Sequence, residues 1–142
     1  MREKTLLFLG LMRKAGSLAV GETNTGAAAK SGKTRLLLLA SDASPNARKR
    51  AESFSLGHSF PTVELPFSKE ELSAHVGVGS CAMAAVTDMG FADALMRLLS
   101  QLEPERYSQI AEETAERYER MKRRRRGAQE SNKRTGKRRT NG

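Results

Sequence analysis

The run Leu36-Leu37-Leu38-Leu39-Ala40 constrains the fold more than any other stretch of this chain. It is short, it lies between turn signals, and it has no polar alternation. Leucine is no strong strand former, yet a strand of this composition must be covered on both faces, as in a sheet with helices on each side. The flanking segments supply those helices. Residues 3 to 15 read as a helix, apolar on most sides, that stops at Arg13-Lys14 with Gly16 just after. Leu18-Ala19-Val20 is a short strand ending at Gly21, and a helix opens with Glu22, Thr23 and Asn24 and finishes before Gly32. Ser44 and Pro45 are an N-cap and first helical residue, and that helix ends near Gly57. Residues 61 to 65 form a third strand. Ser68 and Glu71 have capping-box spacing before a helix through His75. Residues 81 to 87 form a fourth strand, and Asp88 caps a helix from Met89 to Leu102 with Phe91, Leu95, Leu98 and Leu99 inward.

The order is therefore helix, then strand and helix four times. That pattern predicts an α/β fold, a three-layer α/β/α sandwich around a four-stranded, largely parallel (mixed) sheet, over residues 1–103. Residues 104–126 predict a charged amphipathic helix. Tyr107, Ile110, Ala111, Thr114, Tyr118 and Met121 form a thin apolar stripe, so the helix is expected to pack loosely or stand free. Glu113–Arg117, Glu116–Arg120 and Glu119–Arg123 have the four-residue spacing of helical ion pairs. Residues 127–142 are expected to be a disordered basic tail, having almost nothing apolar to bury.

Charge is concentrated at this end. The chain of 142 residues has 25 Lys+Arg and 16 Asp+Glu, net +9. Residues 117–142 hold 12 of the basic residues against only Glu119 and Glu130, so the rest of the chain is close to neutral. A near-neutral body with a basic appendage predicts a polyanionic partner, nucleic acid before membrane, because the basic end has almost no apolar anchors. The single cysteine, Cys81, excludes an internal disulfide framework and fits a reducing cytoplasmic setting. The apolar run from Leu6 to Met12 is followed directly by Arg13-Lys14, where a signal peptide would place small residues.

The candidate binding element is the mouth of the second helix. Gly21 precedes it, Glu22, Thr23 and Asn24 form its first turn, and Gly26 to Ala29 leave its body almost bare. Free backbone N–H groups and the helix dipole suit a phosphate or a nucleotide edge there. Lys30, Lys33 and Arg35 follow as phosphate contacts, and Arg123, Arg124, Arg125 and Arg126 add charge from the extension.

Three segments then carry a resemblance: AGSLAVGETNTGAAAKSGKTRLLLLASDASPN, PTVELPFSKEELS and AAVTDMGFADAL. Together they resemble the bacterial branch of the large-subunit ribosomal protein seven-Ae and thirty-e family, over residues 4 to 102. The resemblance implies binding of RNA kink-turns by the opening of the second helix, with the loop at Val78, Gly79 and Ser80 covering an extruded base. In the family's strongest binders that helix opens Gly, a small residue, Asn, Glu, two residues, Lys. Here those positions hold Gly21, Glu22, Thr23, Asn24, Thr25-Gly26 and Ala27. Losing two good polar contacts to base edges costs roughly 1–3 kcal/mol each.

The expected function is RNA binding, to structured ribosomal or precursor RNA and with possible ribosome association, by a chain that is a monomer when free. No catalysis, metal or cofactor is expected. His58 and His75 lack a second ligand at metal spacing, and Asp42 and Asp88 suit helix-capping turns better than catalysis. The alternatives are a protein-interaction module that docks a partner helix along Tyr107 to Met121, and an α/β enzyme using Asp42, Asp88 or Cys81.

Overall fold

The computed structural model describes residues 1–77, 79 and 81–139, with side chains as far as Ala128. Val78 and Ser80 of the expected base-covering loop, and residues 140–142, lie outside the described residues. The elements run α1 (Arg2–Lys14), β1 (Leu18–Val20), α2 (Glu22–Lys30), β2 (Leu36–Leu39), α3 (Pro45–Ser55), β3 (Thr62–Glu64), α4 (Lys69–Val76), β4 (Met83–Val86), α5 (Met89–Leu102) and α6 (Pro104–Arg139). The helix starts are set by their caps. Ser44 Oγ accepts from Ala47 N–H with Pro45 in the first turn. Ser68 and Glu71 form the reciprocal capping box, and Asp88 accepts from Gly90 N–H.

Four short strands form one mixed sheet in the order β1-β4-β2-β3. All four residues of β2 and of β4 are buried, as the unbroken apolar runs require. The expectation of a largely parallel sheet is corrected. Only β2 and β3 pair in parallel, while β4 lies antiparallel to both β1 and β2. Strand–helix alternation implies parallel strands only when each helix carries the chain back across the sheet. After β3 the chain stays at one end instead. Ser41 N–H donates to Phe67 O at 2.8 Å, and Asp42 Oδ1 accepts from Lys69 N–H at 2.8 Å. Asp42 thus caps α4, and β4 enters from the end at which β3 leaves.

Helices α2 and α3 cover one face of the sheet and α1, α4 and α5 the other. Phe8 of α1 meets Phe91 of α5 with ring centroids 5.7 Å apart. The core runs through Leu9, Met12, Leu36, Leu37, Met83, Leu95, Met96 and Leu99, each fully buried.

The extension is not loose. α6 turns back at Pro104 and lies along α5, and Tyr107 is only 1% exposed. The Tyr107 hydroxyl donates to Glu64 O at 2.5 Å, and Arg106 pairs with the Glu64 carboxylate at 2.6 Å. Thr114 is buried with it, and Ile110 and Ala111 pack on the core. A thin stripe suffices because α5 offers a second apolar side. The helical backbone continues past Gly127, where composition predicted an end to order, as far as Arg139. The four-residue ion pairs read from the sequence are not among the salt bridges of the described residues. Glu119 pairs instead with Lys122 at 2.8 Å.

Candidate nucleic-acid interface

The N-terminus of α2 opens at one end of the sheet. Gly21 has φ 92°, ψ 164°, a conformation that favours glycine. Its N–H donates to Met83 O at 3.0 Å, so the mouth of α2 sits beside the segment that leads into β4. Thr25 N–H makes the first intrahelical bond, to Gly21 O at 2.9 Å, and no side chain caps the helix. The N–H groups of Glu22, Thr23 and Asn24 precede that bond, and all three residues are exposed. The bare side of α2 is required by packing: a Cβ on Gly26 would lie 2.9 Å from the Phe54 ring of α3.

Two of these side chains are already engaged. Asn24 Nδ2 donates to Val20 O at 3.0 Å, leaving its amide oxygen as an acceptor. Glu22 pairs with Arg50 of α3 at 2.5 Å, which offsets an acidic charge that would repel phosphate. Sequence spacing gave no signal for Arg50, because it comes from another helix. Ala27 is exposed on the same helix and offers no polar group, and Gly79 is exposed in the segment before β4.

Lys30 and Lys33 do not flank this mouth. Lys30 ends α2 and Lys33 follows it, at the opposite end of the sheet with Arg35 and the start of β2. The helix between is about 13 Å long. Arg123, Arg124, Arg125 and Arg126 also belong to that far end. α6 begins beside Glu64 and reaches the start of α5, where a Cβ on Gly90 would lie 3.2 Å from the Tyr118 hydroxyl oxygen. The residues expected to form one surface are therefore divided between two.

The enzyme candidates have structural partners. Asp42 and Asp88 cap α4 and α5. Cys81 is 2% exposed and its Sγ contacts Met83 O at 3.5 Å; burial pushes the thiol's pKa up, away from the reactive thiolate. His75 Nδ1 contacts Glu71 O at 3.0 Å and its Nε2 lies 3.4 Å from Glu3. Among the described residues no group of three or more His, Cys, Asp or Glu side chains is placed to hold a metal, and no helix is long and apolar enough to cross a membrane.

Comparison with known proteins adds to this geometry. The chain is 32% identical over 98 residues to a protein of Enterococcus faecium described as RNA-binding protein YlxQ, covering 69% of this chain and 93% of that protein. A solved structure of a Bacillus halodurans protein of unknown function superimposes with a TM-score of 0.61 at 27% identity. It covers 68% of this chain and 97% of its own. The family model of the ribosomal protein L7Ae/L30e/S12e/Gadd45 family matches residues 4–96, a segment that ends within α5 and leaves α6 outside. With the α/β/α sandwich and the open, glycine-preceded α2 in place, the chain belongs to the L7Ae/L30e/S12e/Gadd45 family.

Proposed function

We propose that this chain binds structured RNA through the mouth of α2, in the manner of kink-turn binders, and that the basic end of α6 adds affinity without sequence preference. The single observation that carries the reading is the exposed, uncapped first turn at Glu22, Thr23 and Asn24, held open by Gly21. Backbone N–H groups and the dipole meet phosphate there, while Thr23 and the Asn24 amide oxygen meet base edges. Family membership and the RNA-binding description of the Enterococcus faecium relative support it. Ribosomal or precursor RNA in the cytoplasm is the target class, bound by a monomer without catalysis and without cofactor or metal. Against the protein-interaction alternative, Tyr107 and Thr114 of its surface are buried, and Ile110 and Ala111 pack on the chain's own core.

The test is filter binding of the full-length chain to a kink-turn RNA and to a straight duplex of equal length. A chain ending near Leu102 is unsuitable, because it would strip the core of Tyr107. The chain prefers the bent RNA, and Thr23→Asn, Asn24→Glu and Ala27→Lys together raise that preference by tenfold or more, since each restored polar contact is worth about 1–3 kcal/mol. Equal affinity for the two RNAs, with no gain from the triple change, refutes recognition by α2.

A further inference from the structure

At the end of the sheet away from the α2 mouth, α6 and the loops entering β2 and β3 enclose a groove of about 470 Å³. Arg117, Arg120 and Arg124 line it from α6, at the three- and four-residue spacing that puts them on one helix face. Arg35 faces them across the groove. The lining contains no carboxylate, and among the described residues none of these four guanidinium groups takes part in a salt bridge. Four arginines without a carboxylate partner at one concavity give it a positive potential that attracts an anion.

One further feature narrows the ligand. In the lining of the groove the exposed His58 ring stacks on Phe60, with centroids 5.5 Å apart and planes at 27°. Guanidinium groups for phosphates beside an exposed aromatic face for a base is the chemistry of a nucleic-acid strand. An acidic peptide would use the arginines and leave the ring idle, and a flat membrane surface does not enter a concavity.

We propose that this groove is a second RNA site, holding the sugar–phosphate backbone of a single-stranded segment with one base stacked on His58. The groove stands on its own geometry. Its consequence rests on the reading of the α2 mouth given above: one chain holds two RNA segments at opposite ends of the sheet and ties them together.

The test uses the full-length chain and two probes, a fluorescent short single-stranded RNA and an unlabelled kink-turn RNA. Arg117→Gln, Arg120→Gln and Arg124→Gln are changed together. The control changes Arg123, Arg125 and Arg126 to Gln, which removes equal charge outside the groove. The groove triple weakens short-RNA binding by about tenfold or more and makes the log-affinity against log-salt slope shallower by about 2. The control triple weakens it several-fold less. His58→Ala, at an exposed position, weakens short-RNA binding by about fivefold or more with the salt slope unchanged, and it carries the test if the triple variant unfolds. Short RNA still binds after the kink-turn RNA has saturated the protein. Equal losses from the two triples, no effect of His58→Ala, or displacement of the short RNA by the kink-turn RNA overturns the proposal. Failure of the α2 reading shows separately, as absence of any preference for bent over straight RNA.

Discussion

Replacing Tyr107 by Phe tests whether α6 is an integral part of the domain. The phenol is buried and donates to Glu64 O at 2.5 Å, between the first turn of α6 and the end of β3. Losing that bond and leaving the carbonyl unsatisfied costs about 1–2 kcal/mol at pH 8. The same geometry gives the cost a pH dependence. Burial pushes the Tyr107 pKa up to about 12, the nearby Arg106 opposing it, against about 10 in the unfolded chain. A raised phenol pKa favours the folded state fully below pH 10. Above that the unfolded chain loses its proton first, and stability falls by about 1.4 kcal/mol per pH unit until the folded pKa is reached. Phe cannot ionise, so the variant escapes this loss, and groups common to both proteins cancel. The wild-type advantage therefore vanishes near pH 11, to about one unit. Urea unfolding of both proteins at pH 8 and pH 11 measures it. A difference that is zero at pH 8, or unchanged at pH 11, refutes the buried phenol and with it the docking of α6.

Further outcomes follow from other contacts. Gly10→Ala raises helix propensity by about 1 kcal/mol, but the new Cβ would lie 2.7 Å from His75 O on α4. Separating the helices costs about 1–3 kcal/mol, so urea unfolding shows net destabilisation, and a stabilised variant contradicts the close crossing. The Glu71 carbonyl, aided by Glu3, raises the His75 pKa. The protonated ring therefore stabilises the fold fully below about pH 6.5 and loses this effect as pH rises through the folded pKa, so His75→Gln is most destabilising near pH 5.5. A larger effect of His75→Gln at pH 8 would run against that sign. Cys81 reacts with iodoacetamide far more slowly in the native protein than in urea, and equally fast labelling would show that the thiol is not enclosed.

Much of the fold was legible because it rests on local chemistry. Ser44-Pro45, the Ser68/Glu71 capping box and Asp88 mark helix starts through hydrogen bonds within a few residues. The site was legible in part. Gly21 and the exposed turn after it follow from a strand ending at a glycine before a helix, but the engagement of Asn24 by Val20 O and of Glu22 by Arg50 does not. Lys30 and Lys33 were grouped with Gly21 because they are near in sequence, yet a helix converts nine residues into a walk from one end of the sheet to the other.

What the sequence determined by itself is the set of elements and their burial: Leu36 to Leu39 had to lie between two layers, and the positive charge gathers at the C-terminal end. What only the tertiary structure decided is direction and neighbourhood. The Asp42–Lys69 contact keeps the chain at one end of the sheet and reverses β4, and Tyr107 folds α6 back so that its arginines face Arg35. Helix periodicity and capping act over a few residues and can be read from spacing. Strand order and the meeting of distant charges depend on contacts between segments far apart in the chain, whose geometry no local pattern encodes.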